Sequence, residues 1–132
     1  MNNFYMYRFA DRDRFQVIPW DKDVNFKDID QDVYAGLGNN ALFATAMTYP
    51  RLRDKYASAV RRVASIAADR GPEGLGPGWL EREVARLASM IRESAYADPS
   101  KGYTNQRFEE EVTWLLAFGR HRSAHVLEQV GR

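Results

Sequence analysis

A chain of 132 residues with 45% hydrophobic and 28% charged residues suits one globular domain that can bury a core of its own. Nineteen basic against 18 acidic residues leave a formal net charge of +1, which gives no electrostatic case for a nucleic-acid partner or an anionic membrane surface. The lack of cysteine excludes disulfides, thiolate chemistry and cysteine-based zinc or iron–sulfur sites, and the lack of any run of about 18 apolar residues argues against membrane insertion.

The opening Met1-Asn2-Asn3-Phe4 lacks the basic region and apolar stretch of a signal peptide and reads as the interior of a strand, a hint of truncation. Residues 4–9 and 15–20 are rich in aromatic and β-branched side chains, and Ala10-Asp11-Arg12-Asp13-Arg14 between them is a polar turn, so a β-hairpin is expected. Pro19 has no N–H for the ladder, and the second strand should end or bulge there. Tyr5 and Tyr7 share one face of the first strand, opposite Phe4 and Met6. An acidic, irregular segment follows, with Asp21, Asp23, Asp28, Asp30 and Asp32 before Gly36 and Gly38.

Beyond residue 38 the pattern becomes helical. Residues 40–47 form a short candidate helix. Residues 50–69 carry Leu52, Tyr56, Ala59, Val60, Val63, Ile66 and Ala67 at helical spacing, with Pro50 suited to the first turn. The stretch from Arg70-Gly71-Pro72 to Gly76-Pro77-Gly78 breaks that helix. A third runs over about 79–96 with Leu80, Val84, Leu87, Ile91 and Ala95 on one face, and Asp98-Pro99-Ser100-Lys101-Gly102 ends it. The last spans about 105–130, with Phe108, Val112, Leu115, Leu116, Gly119, Ser123, Val126 and Leu127 on its buried face. Gly119 on that face predicts a close approach of another helix.

The segment Ile18-Pro19-Trp20-Asp21-Lys22-Asp23 sets two carboxylates directly after a strand, where the ladder fixes the backbone and side chains project beyond it. Hard cations such as Mg²⁺ take carboxylate oxygens and use only one or two of them, leaving the rest of the shell to phosphate and water. On spacing alone, a solvated acidic turn is the commoner reading of Asp-x-Asp.

The stretch Asn3-Phe4-Tyr5-Met6-Tyr7-Arg8, followed by Arg14-Phe15-Gln16-Val17-Ile18-Pro19-Trp20-Asp21-Lys22-Asp23, resembles the CotH kinase-like family. There a motif of type N-[YF]-Y-L-Y precedes a hairpin and then P-W-D-x-D. Tyr49-Pro50-Arg51-Leu52-Arg53-Asp54-Lys55-Tyr56 looks like that family's post-loop helix, and Arg120-His121-Arg122-Ser123-Ala124-His125-Val126-Leu127 looks like its terminal helix. The resemblance implies an atypical protein-kinase-like fold and ATP- and Mg²⁺-dependent phosphorylation of a partner protein, a coat or surface protein in such families. It also assigns roles: Asp21 resembles the metal-binding Asp after a kinase hairpin, Asn3 the metal-binding Asn of the catalytic loop, and Asp23 the second acid of the motif. A kinase base stands five residues before that Asn, in the pattern D-x-x-x-x-N, which falls before Met1. The nucleotide-clamping lobe is expected further upstream still, so no catalytic base is assigned within these residues.

Other constellations read more simply. His121, His125 and Glu128 have a spacing that can bind zinc, but they lie opposite the apolar stripe and read as solvent-facing. Arg51, Arg53, Lys55, Arg61 and Arg62 could meet phosphate or an acidic partner, but Asp54 and Asp69 interrupt them and a solvated helix face is the plainer account. Trp20, Trp79 and Trp114 read as core and interface anchors. The expected architecture is α+β: one partial domain, with a hairpin and acidic metal-binding loop over 1–38 and a helical lobe over 39–132. Two functional readings follow, the C-terminal part of a CotH-like kinase or a non-enzymatic interaction module that keeps part of the Mg²⁺ site. A third, an unrelated helical binding domain, would make the Trp20-Asp21-Lys22-Asp23 match a coincidence.

Overall fold

The computed structural model describes residues 4–22 and 25–131. Strands β1 (Phe4–Arg8) and β2 (Phe15–Pro19) pair antiparallel, in a register running from Phe4 opposite Pro19 to Arg8 opposite Phe15. The Phe9 N–H donates to the Arg14 carbonyl at 3.1 Å, and the Arg12 guanidinium lies 4.2 Å from the centre of the Phe9 ring, so the turn closes on itself. The ladder stops at Pro19, where the missing donor ends it.

A 3₁₀ turn over Leu37–Asn39, not anticipated from the glycines around it, leads into α1 (Ala41–Met47). The Asn40 side chain caps α1 by accepting from the N–H groups of Leu42 and Phe43. Helix α2 (Pro50–Ala67) starts with proline in its first turn, where a missing N–H costs nothing. Helix α3 (Trp79–Ala97) ends where Lys101 reaches back to the carbonyls of Ala95 and Tyr96, groups that would otherwise lack a partner. Helix α4 (Asn105–Gly131) begins with the Thr104 hydroxyl accepting from the Arg107 N–H at 3.1 Å. A hairpin followed by four helices is an α+β chain, as expected.

Helix α4 is the axis of the helical part, because α2 and α3 both pack chiefly against it. Its buried residues Phe108, Val112, Phe118, Gly119, Ser123, Val126 and Val130 lie on one stripe along the helix, advancing mostly by three or four residues once the half-buried Leu115 is included. Gly119 lies where a Cβ would stand 2.9 Å from the Glu81 Cα and N, so α3 and α4 touch backbone to backbone there. Beside this contact the buried Glu81 carboxylate accepts from the Arg120 guanidinium at 2.6 and 3.0 Å. An unpaired carboxylate in that position would carry the full cost of desolvation.

The faces of α2 and α3 differ from the expected stripes. On α2 the buried or half-buried residues are Tyr56, Ala57, Val60, Ala64 and Ala67, whereas Leu52, Ala59, Val63 and Ile66 are exposed. On α3, Ala88 is buried while Leu87 and Ile91 remain exposed. Each of these helices leans mainly on α4, so only a narrow stripe is covered and small alanines face the close contact. Trp20 (60% exposed) and Trp79 (46%) are not core anchors either, because no helix covers the first and the second opens α3 at the surface. Strands β1 and β2 contact each other and no helix, leaving Tyr5, Tyr7, Phe15, Val17 and Trp20 exposed. Among the described residues no helix is long and apolar enough to cross a membrane.

Replacing Gly119 with alanine forces a methyl group into backbone that cannot yield. The expected loss is about 1–3 kcal/mol in urea denaturation, despite alanine's better helix propensity. A midpoint equal to or above wild type would show that the helices are not in contact at this point.

Candidate functional site

Asp21 follows directly on the end of the ladder, after Pro19 and Trp20, and the Trp20 ring rests 5.9 Å from that of Tyr5 on β1. Its φ of 51° is the only positive value outside glycine among the described residues. Aspartate tolerates this left-handed conformation better than most residues, because its short side chain can hydrogen-bond locally. Residues held in such conformations cluster at functional sites. The Asn25 N–H donates to the Lys22 carbonyl at 3.3 Å. Asn3 and Asp23 lie outside the described residues, so Asp21 is the one expected metal ligand whose position is on view. No group of three or more acidic or histidine side chains is placed to hold a metal among the described residues. An exposed carboxylate oxygen at a fixed turn nevertheless fits Mg²⁺, which draws few ligands from protein.

The acidic segment after this turn is seated along α4. The Trp114 indole N–H donates to the Phe26 carbonyl at 2.7 Å, and the Phe26 ring meets Phe118 edge-on at 5.2 Å. One nitrogen of Arg122 donates to the carbonyls of Ile29 and Gln31, at 2.9 and 2.7 Å. Gln129 accepts from the Val33 N–H at 2.8 Å and donates to the carbonyls of Asp30 and Gln31. From α2, the Tyr56 hydroxyl donates to the Val33 carbonyl. Residues 114, 118, 122, 125 and 129 form a second stripe on α4, again at three- and four-residue steps. From 114 to 129 that stripe spans about 22 Å of helix axis, close to the roughly 23 Å that seven residues of extended chain can cover. Chain and helix therefore run side by side in the same direction.

Charge is concentrated at the middle of this seat. The carboxyls of Asp28 and Asp30 share a side-chain hydrogen bond, which raises Asp28 above the ordinary carboxylate value and lowers Asp30 below it. His125 and Arg122 of α4 lower Asp30 further through their positive charge. His125 is thus half-buried against the acidic segment rather than solvent-facing, while His121 is exposed as expected. Arg61, expected on a solvated face, instead donates to the Val130 carbonyl at 2.6 Å and ties α2 to the end of α4. A cleft of about 600 Å³ opens beside the seat, lined by Phe26, Lys27, Arg107, Glu110, Glu111 and Trp114 among others.

The family model described as "CotH kinase protein" matches residues 1–126. The chain belongs to the CotH kinase family. This membership removes the possibility that Trp20-Asp21-Lys22-Asp23 matched by coincidence in an unrelated helical domain. No curated protein and no solved structure gave a significant match. The CotH match takes in the hairpin, the Asp21 turn, the acidic segment and α4 as far as Val126, so the residues that make the seat fall within it except Gln129. Arg122 and Gln129 were not singled out from the sequence. Their signal was a row of polar and aromatic residues beside the apolar stripe of α4, visible only when both stripes are drawn on one helix.

The two carboxyls predict a pH dependence of the seat. Asp28, raised on folding, contributes stability that is present below its ordinary value and lost as pH rises through the raised one. Asp30, lowered on folding, contributes stability that is present above its ordinary value and lost as pH falls through the lowered one. The hydrogen-exchange protection factor of the Val33 amide should therefore peak in the acidic window around the ordinary carboxylate value of 3.8 and decline as pH rises through the raised value of Asp28. Asp28→Asn, neutral at every pH, should remove the decline on the neutral side. A wild-type protection factor that rises steadily to pH 7 would contradict this assignment.

Proposed function

We propose that this chain forms the metal-loop and helical part of a CotH-type protein kinase, which transfers a phosphoryl group from ATP to a hydroxyl of a partner protein. The observation that carries this reading is the Asp21 turn. A carboxylate of the P-W-D-x-D motif stands at a left-handed turn directly beyond a hairpin, followed by a segment anchored to α4. In this reading Asp21 is a ligand of Mg²⁺, with Asn3 and Asp23 as the further oxygen donors. Bound Mg²⁺ would neutralise charge on the nucleotide phosphates. The protein's own part is to hold the Asp21 carboxylate at a constant place while phosphate and hydroxyl are brought into line, since phosphoryl transfer depends mainly on positioning and electrostatics. The transfer step also needs a base for the hydroxyl proton, a role assigned to none of the residues named here.

A second reading has its own support. Tyr5, Tyr7 and Trp20 on one face of the two-stranded ribbon and Phe15 and Val17 on the other are exposed, so apolar surface is bared on both sides of an element that is only marginally stable without cover. This favours an interaction module in which the hairpin meets another polypeptide surface, with or without phosphotransfer.

Asp21→Asn separates the two. It should lower Mg²⁺-dependent phosphotransfer by at least about 100-fold, the scale of a lost charge-stabilising group, and leave partner capture intact. Normal phosphotransfer in that variant would remove Asp21 from the metal site. Absence of phosphotransfer in the parent protein, with partner capture retained, would select the interaction reading.

A further inference from the structure

We propose that the outer face of α2 is a docking surface for an amphipathic helix with acidic flanks, carried by another protein. The inference is independent of the metal role proposed for Asp21. Helix α2 has a wider apolar arc than its neighbours cover: Tyr56, Val60, Ala64 and Ala67 are buried or half-buried, while Leu52, Ala59, Val63 and Ile66 are exposed. Val63 is 64% and Ile66 54% exposed, so these are bare side chains and not the rim of the contact with α4. At 3.6 residues per turn the four exposed residues occupy about 60° of the helix surface, a continuous stripe about 21 Å long. On one side the stripe runs into the half-buried Tyr56 and Val60. On the other, Lys55 and Arg62 form a basic edge, with Arg51 outside them.

Charge decides the kind of partner. Helix α2 carries five basic residues and one acidic, in a chain whose net charge is +1. Among the described residues Arg51, Lys55 and Arg62 meet no carboxylate, whereas Arg86, Arg92, Arg107 and Arg120 of α3 and α4 are all ion-paired within the chain. Arg51 and Lys55 also lie in the first two turns of α2, where cations oppose the helix dipole, and no acidic residue stands in the first turn to offset them. The stability of α2 therefore gives no reason for these charges, and carboxylates on a partner would. A helical partner fits the shape. Leu52, Ala59 and Ile66 recur every seven residues, and Ala59, Arg62, Val63 and Ile66 frame a hollow of the kind that receives one side chain of a facing helix, with the small Ala59 as its floor. A flat bilayer calls for a wider apolar face than this narrow stripe. A second copy of the chain is poorly matched, because its helical carboxylates Glu81, Glu83, Glu109, Glu110 and Glu111 already meet arginines of their own chain.

Calorimetric titration with two synthetic helical peptides tests this, with circular dichroism recorded on each variant. Both peptides carry leucine at heptad positions a and d over about three heptads; one has glutamate and the other lysine at e and g, so that neither pairs readily with itself. Wild type should bind the glutamate peptide at least about 10-fold more tightly than the lysine peptide. Lys55→Glu combined with Arg62→Glu should reverse that preference, which loss of fold cannot do. Val63→Ser combined with Ile66→Ser should weaken binding of the glutamate peptide at least about 10-fold with the helical signal unchanged. If the serine variant loses helical signal, the charge-reversed variant decides alone. Equal affinity for the two peptides, binding of neither, or a preference that survives charge reversal would overturn the proposal. Two further results would also overturn it. Tighter binding to phosphatidylserine vesicles than to the glutamate peptide, lost on charge reversal, would assign the face to a membrane. A wild-type dimer that dissociates on charge reversal would assign it to a second copy.

Discussion

Two stripes on one helix organise this molecule. The apolar stripe of α4, from Phe108 to Val130, is the surface on which α2 and α3 assemble. The adjacent stripe of Trp114, Phe118, Arg122, His125 and Gln129 faces the acidic segment and takes up its backbone groups. A segment with so many carboxylates and so few apolar side chains has little burial of its own to offset the entropy of being ordered. It is ordered here because a rigid helix offers donors and an acceptor at a spacing that an extended chain can follow. Phe26, Ile29 and Val33 supply apolar contact.

The long helix at the end of the chain thus holds the segment from Phe26 onward, while the hairpin before it touches no helix. The chain belongs to the CotH kinase family, and under the function proposed above a segment held in this way would suit phosphoryl transfer, which relies on fixed charge more than on covalent chemistry by the protein. The same rigidity would serve a binding surface, so the metal role proposed for Asp21 and the exposed aromatic ribbon are compatible.

Much of the fold was legible in the sequence, for reasons that differ between elements. Pro19, Pro50, Gly78 and the stretch from Asp98 to Gly102 mark boundaries by covalent geometry, which tertiary contacts rarely override. The buried face of α4 followed from its period because that helix has neighbours on two sides. The faces of α2 and α3 did not, because hydrophobic pattern reports which residues could be buried and not how many helices are available to bury them. Gly119 was readable as a close contact because a glycine in the middle of an apolar stripe has little else to recommend it. At the candidate site, the end of the second strand at Pro19, directly before Trp20 and Asp21, was legible from the sequence. The seat on α4 was not, since it consists of side chains from one element binding backbone carbonyls of another some 90 residues away, and carbonyls carry no sequence signature.

The account rests on Asp21 as the point where the chain meets a divalent cation. Its most direct test is amide-resolved NMR of the wild-type chain during addition of substoichiometric Mn²⁺. Paramagnetic broadening should centre on the amides around Asp21 and extend to Phe26 and the indole N–H of Trp114, leaving α2 sharp. Broadening centred on the carboxylates of Glu109, Glu110 and Glu111, or spread evenly over the acidic surface, would place the cation elsewhere and contradict the account.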